Sequence, residues 1–281
     1  MNEHCRSCGA ELHGKFCSEC GEKKFDKNDL TVKKIIVQGI DVFTHFDSKI
    51  FKSLKLLITK PGLLAKEYCS GVKVKYAKPL QLFVIINIAY FFIISFGFFN
   101  TFNTPLGVHM NSMIYSEAAR SLVKSKLENK NIKLEDYTSK FNSKVNVLSK
   151  SLIIIFVPFF ALCLQLLFIN RQRSYPENLI FSLNLLAWML MFQILFMDLL
   201  ILAITGIGKL FDLDIKYFLS DNVMSIVLFS AIGIYSYFAV RRFYKEKKWL
   251  SIVKCLAIPY LFLIVLNVYR FILFLITLYS T

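Results

Sequence analysis

Little in this chain bends or breaks. Its 281 residues include only 6 prolines and 11 glycines, too few for a disordered or low-complexity tract. Acid is scarce as well: 19 Asp and Glu face 34 Lys and Arg, leaving a net charge of +15. There is no G-x-S-x-G nucleophile turn, no glycine-rich phosphate loop and no H-E-x-x-H metal helix, so no enzyme chemistry is legible. His45 and Asp47 in FTHFDSKIF stand two apart, and on a helix they diverge instead of facing each other as an acid–base pair. The first thirty residues are polar and cysteine-rich, without the apolar stretch of a cleavable signal. These absences point to a non-enzymatic protein.

What is present is oil and basic charge. The chain is 56% hydrophobic and 15% aromatic, which places it in the membrane class. About 20 apolar residues in a row cross the ~30 Å hydrocarbon layer as a helix. Five runs qualify: Leu80 to Phe99, Ser151 to Ile169, Leu179 to Ile207, Val223 to Val240 and Ile252 to Tyr279. The expected fold is therefore an all-α polytopic membrane protein occupying residues 80–281. A polar insert at 100–150 carries Tyr137, Phe141, Val145 and Leu148 at helical spacing, and reads as a small helical cap.

Basic residues are retained on the cytoplasmic side of a bilayer. The flank 60–79, the loop NRQRSYPEN and the segment RRFYKEKKWLS hold twelve of them against ten on the opposite side. The expected topology puts the N-terminus in the cytosol, and five crossings put insert and C-terminus outside the cytoplasmic (inner) membrane. Charge that brackets apolar runs in this way points to anionic lipid headgroups, and nucleic acid is not expected. Residues 26–79 form a basic amphipathic stretch in which Val32, Ile36, Ile40, Ile50, Leu54 and Leu57 recur at helical spacing among Lys49, Lys52 and Lys55, with Lys73 and Lys75 following. Such a helix lies on an anionic surface or packs its apolar face on the protein itself. Asp47 is a candidate cap, and Pro61-Gly62 a stop.

The strongest motif is at the front. CRSCG and CSECG place Cys5, Cys8, Cys17 and Cys20 as two C-x-x-C-G knuckles separated by eight residues. Four thiolates converging in this way make a closed tetrahedral site, the structural form of zinc binding. A segment this short has almost no core, so the metal must supply most of its folding energy. Tandem knuckles in a cytosolic segment favour Zn2+, one per chain, over disulfides or redox chemistry. Residues 1–25 are read as a zinc ribbon.

Ionisable groups inside a span are costly and mark candidate sites. Asp198 in the third span and Arg270 in the fifth have matching expected depths, with Gln193 and Asn267 nearby. Two readings stand: an intramembrane ion pair stapling helices, or a polar site for a transported species.

The run CRSCGAELHGKFCSECGEKKF, followed by HFDSKIFKSLKLLITKPGLLAKEYCSGVKVKYAKP, resembles a bacterial membrane-protein family carrying the domain of unknown function numbered 3667. The resemblance covers residues 1–95 and rests on the four cysteines, His45, Asp47, Phe51, Pro61, Gly62, Tyr68, Gly71, Lys73, Tyr76 and Pro79. It implies a ribbon ahead of a multispan region and carries no assigned activity. That family usually has arginines near Lys73 and Lys75, so a role needing a bidentate arginine does not carry over. The expected function is recruitment or sensing of a protein partner at the cytosolic membrane face through the ribbon; the alternative is a transporter or channel-like protein using Asp198 and Arg270. Assembly into an oligomer is compatible with either.

Overall fold

The computed structural model describes residues 4–26, 29–40, 48–94, 101–211 and 217–281. The described regular structure is helical: α1 (Val32–Ile40), α2 (Ser48–Thr59), α3 (Leu63–Cys69), α4 (Pro79–Ile94), α5 (Leu106–Asn111), α6 (Ser116–Lys130), α7 (Leu134–Leu167), α8 (Tyr175–Phe192), α9 (Asp198–Phe211), α10 (Asp221–Tyr244) and α11 (Lys248–Ser280). Pairing of strand type is limited, among the described residues, to two isolated bridges in the ribbon. His45 and Asp47, with the proposed cap, lie outside the described residues.

Four of the five expected spans have helices of membrane length among the described residues. Among the described residues four helices are long and apolar enough to cross a membrane: Leu134–Leu167, Tyr175–Phe211, Val223–Tyr244 and Lys248–Ser280. The expected first span is the exception. Its apolar helix, α4, has 16 residues, about 24 Å at 1.5 Å per residue against ~30 Å of hydrocarbon; positions 95–99 of that run lie outside the described residues.

The chain divides into two compact units, one of residues 1–96 and 161–259, the other of 97–160 and 260–281. In the first, α8 is the central element. Every residue from Asn178 to Met191 is buried, with α4, α3, α10 and α2 against it. Its start is specified locally: Ser174 caps the first turn, Glu177 closes a capping box onto the Ser174 N–H at 2.9 Å, and a proline lies in the first turn, the arrangement that satisfies a helix's orphan donors. Trp188 stacks on Tyr235 at 3.9 Å. A π-helical turn at Gln193–Met197 separates α8 from α9.

Part of the amphipathic stretch packs on the protein itself, while Ile36, Val37, Phe51 and Ile58 stay exposed. Helix α2 buries Ile50, Ser53 and Leu57 against α3, α4 and α8, and the Tyr235 hydroxyl donates to the Leu57 carbonyl at 2.8 Å. Lys52 and Lys55 face outward. The Pro61-Gly62 stop is present: Gly62 adopts φ 73°, and a Cβ there would lie 2.6 Å from the Ala239 carbonyl oxygen of α10. Arg242 donates to the Pro61 carbonyl at 2.6 Å, locking the same turn.

In the second unit the cap expected at 100–150 is helical, but its last helix is continuous with the following span as α7. Tyr137, Phe141 and Val145 are buried as their spacing requires. The lysines of this cap have a structural use: Lys126, Lys130 and Lys144 donate to the carbonyls of Leu278, Thr281 and Ser280. Cations there complement the negative end of the α11 macrodipole.

Gly62→Ala should be costly for two independent reasons, a strained positive φ and a clash with backbone that cannot retreat. The expected loss is about 2 kcal/mol or more, read as a lower thermal midpoint of the detergent-solubilised protein. An unchanged midpoint would mean that this turn is not held against α10.

Candidate metal centre and the loop it rests on

Each knuckle is built by its backbone. The Cys5 N–H donates to Ala10 O at 2.7 Å and Gly9 N–H to Cys5 O at 2.8 Å; the second knuckle repeats this with Cys17 to Glu22 and Gly21 to Cys17, both 2.9 Å. Gly9 and Gly21 take φ of 84° and 72°, which is why glycine follows each second cysteine. The turns aim four sulfurs at one point, all within 4.8 Å of one another, with Cys5–Cys20 at 3.6 Å and Cys8–Cys17 at 3.5 Å. A tetrahedron of thiolates about 2.3 Å from an ion has edges of ~3.8 Å, so the set fits a metal ion. Among the four crowded thiols the Cys8 N–H leads the forces that lower Cys5 to about 7, whereas Cys8 and Cys20 are pushed up, against the Ala10 and Glu22 backbone, by burial and by neighbouring thiols. His4 and His13 are exposed, and all seven cysteines are unbridged.

The ribbon is seated on its own chain. Glu22, beside the second knuckle, is 4% exposed, and its Oε2 accepts the backbone N–H groups of Lys73 and Val74, both at 2.8 Å. Arg6, inside the first knuckle, donates to the Ser70 carbonyl at 2.8 Å and covers the Phe25 ring at 4.1 Å. Phe25 fills the place of the missing side chain at Gly71, where a Cβ would come within 2.5 Å of its ring. Lys23 and Lys34 bracket Asp29, the former at 2.7 Å, and with Lys23 leading they bring its carboxyl down to about 2.

The basic residues of this surface are not all free in water. Lys52 and Lys75 lie over the Tyr76 ring at 5.6 and 5.5 Å, and Lys73 over Tyr68 at 5.5 Å, cation–π geometry. Lys49 and Lys73 also line a cavity of about 220 Å³ with Lys78 and Gln81.

A second cluster at this unit's polar end escaped sequence reasoning. Glu246 is buried between Arg171 and Lys254; burial opposes its charge, and the two cations overcome this to hold its carboxyl below the usual range. Arg173 joins Glu177 at 2.5 Å and the Phe243 carbonyl at 2.9 Å. Asn178 is bonded to Gln165 and Tyr244. The only signal available was the S-x-x-E capping box; Arg171–Glu246, Arg173–Phe243 and Asn178–Tyr244 are 66 to 75 residues apart. All these groups are satisfied, which makes the cluster a clamp on helix ends.

The intramembrane candidates divide between the two units. Asp198 is 3% exposed and neither carboxylate oxygen has a hydrogen-bond partner. Arg270 belongs to the other unit and donates to the Thr101 carbonyl at 2.9 Å. Asn267 bonds its own helix at Leu263 O, 2.9 Å, and Gln193 is buried in the π-turn. Asp198 and Arg270 thus fall in different compact units, each with its own surroundings.

Residues 47–102 match the family described as Protein of unknown function (DUF3667). The matched segment spans α2, α3, the loop gripped by Glu22 and Arg6, and α4. No curated protein and no solved structure matches the chain.

Two outcomes follow. Glu22→Ala strands two buried N–H groups, so trypsin should cut after Lys73 or Lys75 at least about tenfold faster than in the parent protein; equal cleavage rates would show that the carboxylate does not hold the loop. Asp198→Asn and Arg270→Gln should change the thermal midpoint additively, within about 0.5 kcal/mol in a double-mutant cycle. Strong coupling would restore the ion pair.

Proposed function

We propose that this is a bacterial inner-membrane protein whose cytosolic ribbon carries one structural zinc ion and presents a surface that recruits or senses a protein partner. The observation that carries the reading is the convergence of the four cysteine sulfurs in a module tied by Glu22 and Arg6 to the loop ahead of the apolar helices. A closed S4 set suits zinc and leaves no open position for catalysis. With Phe25 and Glu22 turned toward the loop, the ribbon still exposes Phe16, 63% exposed, with His13 and Lys15. An aromatic residue ringed by polar ones is a contact surface in waiting.

The cytosolic placement is supported by one physical coherence. The ribbon, Pro61, Arg173 and Arg242 are joined within one unit by hydrogen bonds, so the basic flanks assigned to the cytosol gather with the cysteines. The lysines of the insert have a separate reason to be there, since they cap the end of α11. Lys52, Lys55 and Lys75, exposed beside the apolar helices, suit anionic headgroups. A transport reading is kept alive by Asp198 alone, because a buried carboxylate without a partner is expensive in hydrocarbon.

Elemental analysis of freshly purified, reduced protein should give one zinc per chain, and cobalt in its place should show thiolate-to-metal absorption that Cys8→Ser abolishes. Metal-free preparations would end the zinc reading. Crosslinking in membranes, followed by purification, should recover a protein with the parent that is lost equally with Cys8→Ser and Phe16→Ser. Retention of that protein by both variants would remove the ribbon from the interaction.

A further inference from the structure

Arg270 presents a problem the structure has not solved internally. A guanidinium keeps its charge in any protein environment, and burying a cation without a counter-charge is costly. Arg270 spends one donor on Thr101 O, while its Nε is buried and unpartnered. The unit to which it belongs has four acidic side chains, Glu117, Glu128, Glu135 and Asp136, and all four are exposed. No ion pair to Arg270 exists among the described residues. Among the described residues this part-buried guanidinium meets one hydrogen-bond acceptor, the Thr101 carbonyl.

The groups around it are also short of acceptors. His109 is 0% exposed, and its Nδ1 lies 2.8 Å from the Tyr115 hydroxyl. Its Nε2 has no hydrogen-bond partner, nor has the buried Thr104 hydroxyl. Burial, then the charge of Arg270, push His109 down to about 4 against a smaller opposing pull from the Thr104 backbone, so the ring is neutral at physiological pH. In the tautomer whose imidazole N–H faces Tyr115 the phenol hydrogen is left unspent; in the other the second imidazole N–H meets only the weak pull of the Thr104 backbone. The cluster is positioned by α11, whose Phe271 and Phe274 pack on Tyr115 and His109 at 4.8 and 5.1 Å one turn around Arg270.

We propose that Arg270, Tyr115, His109 and Thr104 form a site for a small monovalent anion, of halide or simple carboxylate class. The fixed cation supplies the charge, and the unspent N–H and O–H groups supply the ligating hydrogens. This inference is independent of the ribbon and of any partner that the ribbon binds. It also gives Arg270 a counter-charge other than Asp198.

The test uses the full chain in detergent at constant ionic strength, with a bulky sulfonate as the background anion and chloride, nitrate or formate titrated in turn. The thermal midpoint should rise saturably by about 2–5 °C, and 35Cl resonance broadening should be displaced by formate. Arg270→Gln should lose both responses. Tyr115→Phe, which keeps the ring packing, should weaken apparent affinity about five- to tenfold. Should Arg270→Gln fail to fold, Arg270→Lys and Tyr115→Phe carry the comparison. A parent protein indifferent to all three anions, or variants that respond as the parent does, would overturn the site.

Discussion

One buried carboxylate ties the two halves of this protein's chemistry together. Glu22 sits one residue past the second knuckle, where its carbonyl closes that knuckle on Cys17 and its side chain grips the backbone of Lys73 and Val74. Cysteine geometry and loop geometry are thus set by a single residue. A carboxylate accepting two backbone N–H groups out of water is among the stronger polar contacts a surface module can make. The ribbon, too small for a core of its own, gains through it a fixed seat on a helical body.

That body solves the usual problem of polar groups in oil in two ways. At the end bearing the ribbon, charges are paired and completed: Glu246 with Arg171 and Lys254, Arg173 with Glu177, Asn178 with Tyr244 and Gln165. Every member has a partner, so the cluster is rigid and resists rearrangement. Farther along the helices, Asp198 and Arg270 are left incomplete, in separate units. Complete networks hold structure, whereas incomplete buried charges are kept only where something else completes them.

Much of this was legible beforehand. The two C-x-x-C-G knuckles announced a four-sulfur site because their spacing and glycines admit few other turns. The long apolar runs announced membrane-length helices because hydrocarbon thickness sets their length. Pro61-Gly62 announced the end of α2, and Tyr137, Phe141 and Val145 the buried stripe of α7. The apolar run beginning at Leu80 is helical over the 16 described residues of α4.

The sequence by itself determined the four-cysteine cluster, the helical class and the membrane-length segments, since each depends on residues close together in the chain. Tertiary structure alone decided which surfaces of those elements are spent internally. Glu22 meets Lys73 across 51 residues, Arg6 meets Ser70 across 64, and Tyr235 meets Leu57 across 178; no local pattern encodes such pairs. For the same reason equal depth of Asp198 and Arg270, found by counting along their helices, does not by itself make them neighbours. Periodicity tells how far along a helix a side chain lies, while the azimuth that decides its neighbours is set only when the helices pack.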